Sequence, residues 1–431
     1  MKLLHNLKLG VKLPLMLVTI ALVALTIMGG SAYREARNLL EKDGAQRLTQ
    51  ALDDRRADLE AWAAKLMADA RAVTDTPATN RALREMSASW KRLGDAPGAY
   101  LRKAYIEDNP NPKGARHKLD YPGDVTDYSI LHRRYHPGFV TTAMQMGFAD
   151  IYMINTDGVV VYSMGKNDDF ATDLLQGPYK GGALAQVAKA ALTAGDGAPV
   201  VSEFAQREAG RADDIGLFIA APLRNAEGMV QGVIAFEVSV THIDATLANV
   251  RGLGETGQGY LVSVARVLQN DLRLSKDKTL LQPVEESPAI RAAFAGESGI
   301  IAQTGIAGQP VVAAFAPVQL FGRHFAAVVE QSAEEMFAPA HDLARSMLFN
   351  AAWLMALLLA MSWGMARSVA APLQMLGGMI RKISGGDRVT PVAGTQRSDE
   401  VGHIACALEA LRTELQAADS AQLQAAMQGT A

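Results

Sequence analysis

Residues 346–366, SMLFNAAWLMALLLAMSWGMA, form an apolar run of 21 residues without a charged side chain. Arg345 and Arg367 flank the run. About 20 apolar residues are enough for a helix to cross the hydrocarbon core of a bilayer. The alternative is the buried helix of a soluble core, but no such core requires 21 uncharged residues that end at an arginine. We therefore predict a transmembrane helix over 346–366.

A second apolar run, Leu13–Ala32, lies near the N-terminus, and we predict a transmembrane helix over 13–33. Three lysines and no acidic residue precede it, and the segment after the second span is also basic. The positive-inside rule then puts residues 1–12 and the C-terminus in the cytoplasm and residues 33–345 outside. A cleaved signal peptide is the alternative, but the run exceeds the roughly 7–15 apolar residues of a signal.

The composition argues against several function classes. The net charge is −3, and no basic stripe with interleaved aromatic residues indicates a nucleic-acid surface. The one cysteine, Cys406, follows the second span, so the external part has neither a disulfide nor a thiolate metal site. We find no Walker loop, zinc-protease motif or nucleophile elbow. We predict that the chain is not an enzyme and has no cofactor.

The external part begins with helix. Apolar residues recur at helical spacing between Ala32 and Thr74, which predicts one long helix with a single apolar stripe. Thr76-Pro77 is typical of a helix start and predicts a second helix over 77–92. Residues 93–125, rich in Pro, Gly, Asn and Asp, are predicted to be irregular.

Short strands follow from Gly147 onward. Gly147–Asn155 and Val159–Ser163 flank the turn Asn155-Thr156-Asp157-Gly158, which predicts a hairpin. A helix is predicted over 182–194. Further strands are predicted over 198–204, 215–223 and 229–240.

The same order of elements recurs about 93–110 residues later, which is the spacing of an internal repeat. GESGIIAQ (296–303) echoes GDGAPVVSE (195–203), and GQPVVAAFAPV (308–318) echoes DIGLFIAAPL (214–223). We predict a duplicated five-strand sheet module. The alternative is two unrelated hairpin runs that share turn chemistry.

Two short apolar seams follow the second span. The first ends at Ser384-Gly385-Gly386-Asp387, and the second begins at Val401 with spacings of 3 and 4. The seams consist of Leu373, Leu376, Ile380 and Ile383, then Val401, Ile404, Leu408, Leu411 and Leu415. Neither seam can be buried by one chain, so we predict a parallel dimeric four-helix bundle. An amphipathic hairpin lying on the membrane is the alternative.

These stretches resemble the methyl-accepting chemotaxis proteins. FADIYMINTDGVVVY (148–162), KNDDFATDLLQGPY (166–179) and GLGETGQGYL (252–261) resemble their double Cache sensor. Pro372–Leu376 and Asp399–Gly402 are similar to the two marker motifs of the HAMP domain. The resemblance implies an α+β membrane protein with a long N-terminal helix, two tandem PAS-like (Cache) antiparallel sheets, two transmembrane helices and a helical HAMP domain.

The resemblance also implies the domain boundaries and the location. The expected location is the bacterial inner (plasma) membrane, with a periplasmic sensor. The stalk helix and membrane-distal module take 34–250, the membrane-proximal module 251–340, the HAMP domain 367–420 and a tail 421–431. The residues expected to relay the signal are Pro372, Leu376, Glu400, Val401 and Leu408.

The ligand site implied by the resemblance lies in the distal module, between the sheet and residues 125–180. A ligand carboxylate would pair with its arginines, or a ligand amine with an aspartate. The candidates are Tyr128, Arg133, Arg134, Tyr135, Tyr152, Tyr162, Lys166, Asp169, Phe170, Tyr179 and Asp214. The amino-acid-binding members use an arginine and a tryptophan in this region, whereas none of the four tryptophans of this chain lies there.

Three other motifs are weaker. Gly385-Gly386-Asp387 begins a diguanylate cyclase signature, but about 44 residues cannot hold that domain. His403 precedes an apolar helix, as a phosphoacceptor histidine does, but no nucleotide-binding loop follows. His132 and His136 have the i, i+4 spacing of metal ligands, but a third ligand is lacking, so we expect a polar loop or pocket wall and no metal.

The resemblance implies a transmembrane receptor for chemotaxis-type signal transduction. It would bind a small extracytoplasmic ligand, relay the signal through HAMP and form a homodimer, without nucleic acid. Because only about 65 residues follow the second span, we expect output from a separate protein or from mixed dimers with full-length receptors. The alternatives are the truncated sensor part of a histidine kinase or nucleotide cyclase, and a non-signalling ligand-binding or heterodimerising membrane protein.

Overall fold

The computed structural model describes residues 9–194, 197–206 and 215–428. The described chain divides into two compact units. Glu41–Met336 form one unit, and the described residues before and after this range form the other.

The first helix, α1 (Leu9–Thr74), is a single helix of 66 residues. The predicted apolar stripe is confirmed, because Leu48, Leu52, Leu59 and Leu66 are buried. α2 (Pro77–Lys91) begins at the predicted proline and buries Leu83 and Met86. Part of the segment predicted to be irregular is helical: α3 (Pro97–Arg102), a π-helical turn (Lys103–Glu107) and a 3-10 turn (Arg116–Lys118). The sequence prediction also missed α4 (Asp127–Met146).

We call the sheet of the first module the distal sheet, after its expected position. It is antiparallel, and its strands lie in the order β2-β1-β6-β5-β3, with β4 also pairing with β5. The hairpin predicted around the Asn155–Gly158 turn is confirmed as β1 and β2. The strands are β1 (Asp150–Asn155), β2 (Val160–Ser163), β3 (Val200–Val201), β4 (Ala205–Gln206), β5 (Ile215–Arg224) and β6 (Val230–Ser239). α5 (Ala183–Thr193) packs on β5 and β6.

The sheet of the second module, which we call the proximal sheet, repeats this order with the strands β7-β10-β9-β8. Its strands are β7 (Gln258–Ser263), β8 (Gly299–Thr304), β9 (Pro310–Leu320) and β10 (Arg323–Ser332). α6 (Thr241–Ala248) connects the two sheets, and α7 (Pro288–Phe294) packs into the proximal core. Arg55 of α1 donates to the Arg251 carbonyl at 3.2 Å, so α1 also holds the connection between the sheets.

The prediction of five strands in the second module is wrong, because the segment after β7 makes only isolated bridges such as Val262–Leu268. The Asn270 side chain pairs with part of the edge that the missing strand would cover. Its oxygen accepts from Leu261 N–H at 2.9 Å, and its amide donates to the Gly259 carbonyl at 3.2 Å. The Gln269 N–H also donates to the Leu261 carbonyl at 2.8 Å, so side-chain and backbone groups together pair the edge of β7, as a buried edge requires.

The second unit is helical. α8 (Ala333–Met365), a π-helical turn (Ala366–Ala370) and α9 (Ala371–Ser384) follow one another, and α10 (Glu400–Gln428) comes after a connector. α1 and the α8–α9 segment each contain a stretch that is long and apolar enough to cross a membrane. α9 and α10 pack around a small core of Leu376, Ile383, Val392, Val401, Ala405 and Leu408. One chain therefore buries part of each seam, contrary to the expectation that neither seam could be buried by one chain. The fold class predicted from the sequence is confirmed.

Candidate ligand-binding site

Helix α4 brings the first group of residues to the site. Thr126 caps the helix by accepting from the Ser129 N–H at 3.2 Å, and Gly147 ends it at a φ of +85°. On the buried face of the helix, Tyr128, His132 and His136 follow one another at i, i+4 and i+8. All three side chains are fully buried.

Lys166 lies at the centre of the site. Its side chain is fully buried, and its ammonium lies 4.8 Å from the centre of the Tyr162 ring, 5.5 Å from Phe170 and 5.7 Å from Tyr105. The ammonium donates to the Ser163 carbonyl. We use the name lysine cage for this group of side chains together with the two histidines of α4: Lys166, Tyr105, Tyr162, Phe170, His132 and His136.

Asp150 fixes the backbone that presents Lys166. Its carboxylate accepts from the Gly165 N–H at 2.9 Å and from the Ser163 hydroxyl at 3.0 Å. Lys166 itself has a φ of +52°, a strained left-handed conformation for a residue other than glycine. The hydrogen bonds of Asp150 therefore hold the loop after β2 in the conformation that points the Lys166 side chain inward.

The two histidines differ in their hydrogen bonds, although their rings stack at 4.3 Å. His136 uses both nitrogens: Nε2 donates to the His117 carbonyl and Nδ1 accepts from the Tyr162 hydroxyl, each at 2.7 Å. His132 Nδ1 donates to the Asp120 carbonyl at 2.7 Å. His132 Nε2 is therefore an acceptor, and this buried atom has no hydrogen-bond partner in the part of the chain that the structure describes.

Burial sets the charge of the cage. Loss of solvent lowers the pKa of Lys166 to about 7, although Asp150 and Asp120 oppose the shift. The pKa of His132 lies well below its ordinary value, first because of burial and then because of the Lys166 charge. The histidines are thus neutral, and Lys166 gains or loses its proton near neutral pH.

The segment predicted to be irregular covers the cage. Tyr105 lies under the ammonium and donates to the Ser129 hydroxyl at 3.0 Å. Arg116 donates to the Lys166 carbonyl at 3.1 Å, and Lys113 pairs with Asp168 at 2.8 Å. Gly98 packs so closely that a Cβ atom there would lie 2.7 Å from the Ala171 oxygen. The cover is therefore tied to the lysine loop at several points.

The structure brings together only part of the predicted site. Tyr128, Tyr162, Lys166 and Phe170 meet in or beside the cage. Tyr152 and Asp169 are buried close to it, where Tyr152 donates to Glu237 at 3.0 Å. Burial, with Asp150 and Glu237 nearby, raises the pKa of Asp169 well above its ordinary value.

The other predicted residues lie elsewhere. Arg133 and Arg134 are exposed on the outer face of α4, where Arg133 stacks on the Tyr121 ring at 4.7 Å. Tyr135 donates to Glu85 at 2.6 Å on the same face. Tyr179 is half-buried in the segment before α5. Asp214 lies outside the described residues.

The sequence prediction missed Tyr105 and gave the histidines only a general place in a loop or pocket wall. The i, i+4, i+8 spacing of Tyr128, His132 and His136 was the available signal for α4. Among the described residues, no group of three or more His, Cys, Asp or Glu side chains is placed to hold a metal ion.

The expected relay residues lie in the helical unit. Pro372 is in the first turn of α9, and Glu400 is the first residue of α10. Leu376, Val401 and Leu408 are buried in the shared core. Asp399 accepts from the Gly402 N–H at 3.0 Å and from Arg397, and Arg397 in turn donates to the Ser368 carbonyl at 3.0 Å.

A protein-family model for the HAMP domain matches residues 364–417. This range contains α9, the connector and the packed part of α10. Residues 364–417 are a HAMP domain. The boundaries predicted from the sequence, 367–420, differ from the match by three residues at each end. A HAMP domain next to a candidate membrane span, with an α+β unit between two such spans, is the arrangement of a transmembrane sensor.

Several solved structures are similar to this chain. The periplasmic sensory domain of the Campylobacter jejuni chemoreceptor Tlp1 is 12% identical, with a TM-score of 0.41, over 70% of this chain and 99% of that one. The ligand-binding domain of the Pseudomonas aeruginosa amino acid chemoreceptor PctB with L-Arg is 20% identical, with a TM-score of 0.32, over 47% and 76%. That of Pseudomonas fluorescens CtaA with L-alanine is 15% identical, with a TM-score of 0.32, over 58% and 94%. No curated protein matches the chain.

Proposed function

We propose that this protein is a chemotaxis-type transmembrane receptor that binds a small hydroxycarboxylic acid in the lysine cage. The observation that carries the proposal is the pair of incompletely used polar groups there. Among the described residues, the Lys166 ammonium has one carbonyl acceptor, and the buried Nε2 of His132 has no hydrogen-bond partner. Both groups lie against the ring of Tyr105.

The chemistry of the two groups selects the ligand. Burying a cationic ammonium is costly, and a ligand carboxylate would add a counter-charge in direct contact with it. His132 Nε2 accepts a hydrogen bond, so a hydroxyl next to the carboxylate would satisfy it. A protonated amine is less suitable at this point, because it would lie in the field of Lys166. The exposed arginines of α4 take no part in this proposal.

The membrane arrangement completes the proposal. The unit Glu41–Met336, which we call the sensor unit, lies in the periplasm, and both termini lie in the cytoplasm, because the positive charge flanks the spans on that side. The HAMP domain pairs with a second copy into a four-helix bundle. Exposed apolar side chains along its helices support this pairing: Ile380, Ile404 and Leu411 are each about half exposed, at 48%, 47% and 49%.

Ligand binding is tested by thermal unfolding of the full chain in lipid nanodiscs. The screen contains 2-hydroxy acids, the matching carboxylic acids without the hydroxyl, amines and amino acids. A ligand at 100 times its Kd stabilises by about 2.7 kcal/mol, which gives a measurable increase in Tm. We expect the largest increase with a hydroxy acid.

Variants separate the cage from the rest of the module. Lys166→Met should abolish the increase in Tm, and His132→Phe should reduce the preference for the hydroxyl. Arg134→Gln, on the outer face of α4, is the matched control and should respond as the natural protein does. An amine as the best ligand, or a normal response of Lys166→Met, would contradict the proposal.

A further inference from the structure

We propose a second ligand site, at the junction of the two sheets, that takes a small aromatic carboxylate. A cavity of about 240 Å³ lies there, lined by both modules. The distal module contributes the segment after β3 and Leu217 of β5. The proximal module contributes the turn after β7 and the tight turn between β9 and β10. The cavity shares no residue with the lysine cage.

The walls of the cavity suit an apolar ring. Phe204, Leu217 and Phe325 line it, and each of them is at least nine-tenths buried. Val264, in the turn after β7, also lines the cavity although it is 70% exposed, so an apolar ligand would cover it. A cavity of roughly 150 Å³ with apolar walls already accepts benzene. The volume here therefore allows a single ring with a polar substituent.

The charge at the cavity selects a carboxylate as that substituent. Arg323 donates from one nitrogen to Glu203 Oε1 and from another to the Val201 carbonyl, both at 3.0 Å. His324 lies beside Arg323 in the lining. The Glu203 side chain is 70% exposed, and such exposed pairs contribute little, about 0–1 kcal/mol. A ligand carboxylate can replace Glu203 at the guanidinium, because the freed Glu203 remains in water.

The cavity wall is connected to the long helix. Phe321, which lines the cavity, has a φ of +54° and packs edge-on against Trp62 of α1 at 5.4 Å between ring centres. Trp62 in turn stacks on His242 of α6 at 4.8 Å. A ligand in the cavity would contact both sheets and a residue held by α1. It would therefore stabilise one arrangement of the two modules, as a modulator of the sensor unit.

Titration calorimetry of the full chain in nanodiscs tests the site, with benzoate as the probe and benzamide as its neutral isostere. We expect benzoate to bind at least tenfold more tightly than benzamide. Arg323→Gln should weaken benzoate at least tenfold. Glu203→Gln should increase the affinity for benzoate about threefold or more, because the competing carboxylate is removed. Both variants lose the same ion pair, so a general effect of that loss would change the affinity in the same direction in both.

Two further variants define the place of binding. Ala265→Trp fills the cavity from an exposed turn and should abolish binding while Tm is retained. Lys166→Met, in the lysine cage, should leave the Kd for benzoate unchanged, so this test is independent of the proposed receptor ligand. Equal binding of benzoate and benzamide, or weaker binding by both Arg323→Gln and Glu203→Gln, would overturn the proposal.

Discussion

At the scale of single residues, Lys166 makes the stability of the sensor unit depend on pH. Its folded pKa of about 7 lies below the ordinary value of 10.5, so between these values unfolding takes up a proton. The free energy of unfolding then increases with pH, by up to about 1.4 kcal/mol per pH unit in this window. Below about pH 7 the folded state must bury the charge.

Removal of this lysine should therefore flatten the pH dependence. We expect Lys166→Met to raise the Tm at pH 6 and to lose most of the increase in stability between pH 7 and pH 10. The exposed Lys180→Met is the control and should follow the natural protein. Parallel curves for Lys166→Met and the natural protein would show that Lys166 keeps its proton when folded.

The same titration predicts how the receptor ligand responds to pH. A carboxylate binds the charged form of Lys166, so affinity should decrease up to tenfold per pH unit as pH rises above about 7. Calorimetry from pH 6 to pH 9 with the best hydroxy acid measures this. A constant Kd over that range would mean that Lys166 does not contact the carboxylate.

In the HAMP domain, the backbone packs so closely at Gly402 that a side chain does not fit there. A Cβ atom there would lie 2.0 Å from the Arg397 oxygen, so Gly402→Ala must open the turn that Asp399 caps. We expect faster hydrogen exchange in α10 and a loss of roughly 1–3 kcal/mol of local stability. Gly377→Ala is the matched control in α9, where a Cβ atom meets nothing within 4 Å. It should be neutral or stabilise by about 1 kcal/mol.

At the scale of elements, helix α4 depends on its cap. Thr126→Val removes the oxygen that accepts the Ser129 N–H and should cost about 1 kcal/mol. Because α4 carries both stacked histidines, the loss of helix stability in Thr126→Val should also decrease the ligand affinity. Thr141→Val, whose hydroxyl donates to the Pro137 carbonyl on the exposed face, should change neither quantity. Similar losses for both variants would indicate a general effect of threonine on this helix.

The elements that the sequence predicts well are those with local signals. The Asn155–Gly158 turn fixes β1 and β2, and the 3-4 spacing from Val401 fixes α10. α4 was missed because Pro137 interrupts a polar run. The cage was predicted only in part, because it depends on distant contacts: Arg116 reaches Lys166 across 50 residues, and the Asp150 side chain holds the loop. No local pattern encodes such contacts.

At the scale of the whole molecule, the duplication extends to a buried polar pair. Tyr152 donates to Glu237 at 3.0 Å in the distal sheet, and Tyr260 donates to Glu330 at 3.1 Å in the proximal sheet. The glutamate lies opposite Asp150 in the distal sheet and opposite Gln258 in the proximal sheet. In both sheets the tyrosine follows that strand partner by two residues. The two modules therefore share this buried tyrosine–glutamate pair, although among the described residues only the distal one has a buried lysine.

Pairing of two copies would cover the exposed half of the HAMP seam. Ile404 and Leu411 are seven residues apart on α10, on the face left open by the core of a single chain. In a parallel bundle each would meet its own counterpart near the axis. In a Cys406→Ser background, Ile404→Cys should therefore form disulfide-linked dimers in nanodiscs under mild oxidation.

His403→Cys supplies the comparison, because position 403 precedes the seam residue and is exposed. We expect at least fivefold slower crosslinking there than at position 404. Addition of the ligand should change the rate at position 404, because a relay requires two packings of the bundle with different ligand affinities. Equal crosslinking rates at positions 403 and 404 would contradict the parallel bundle. A crosslinking rate at position 404 that is the same with and without bound ligand would contradict only the relay.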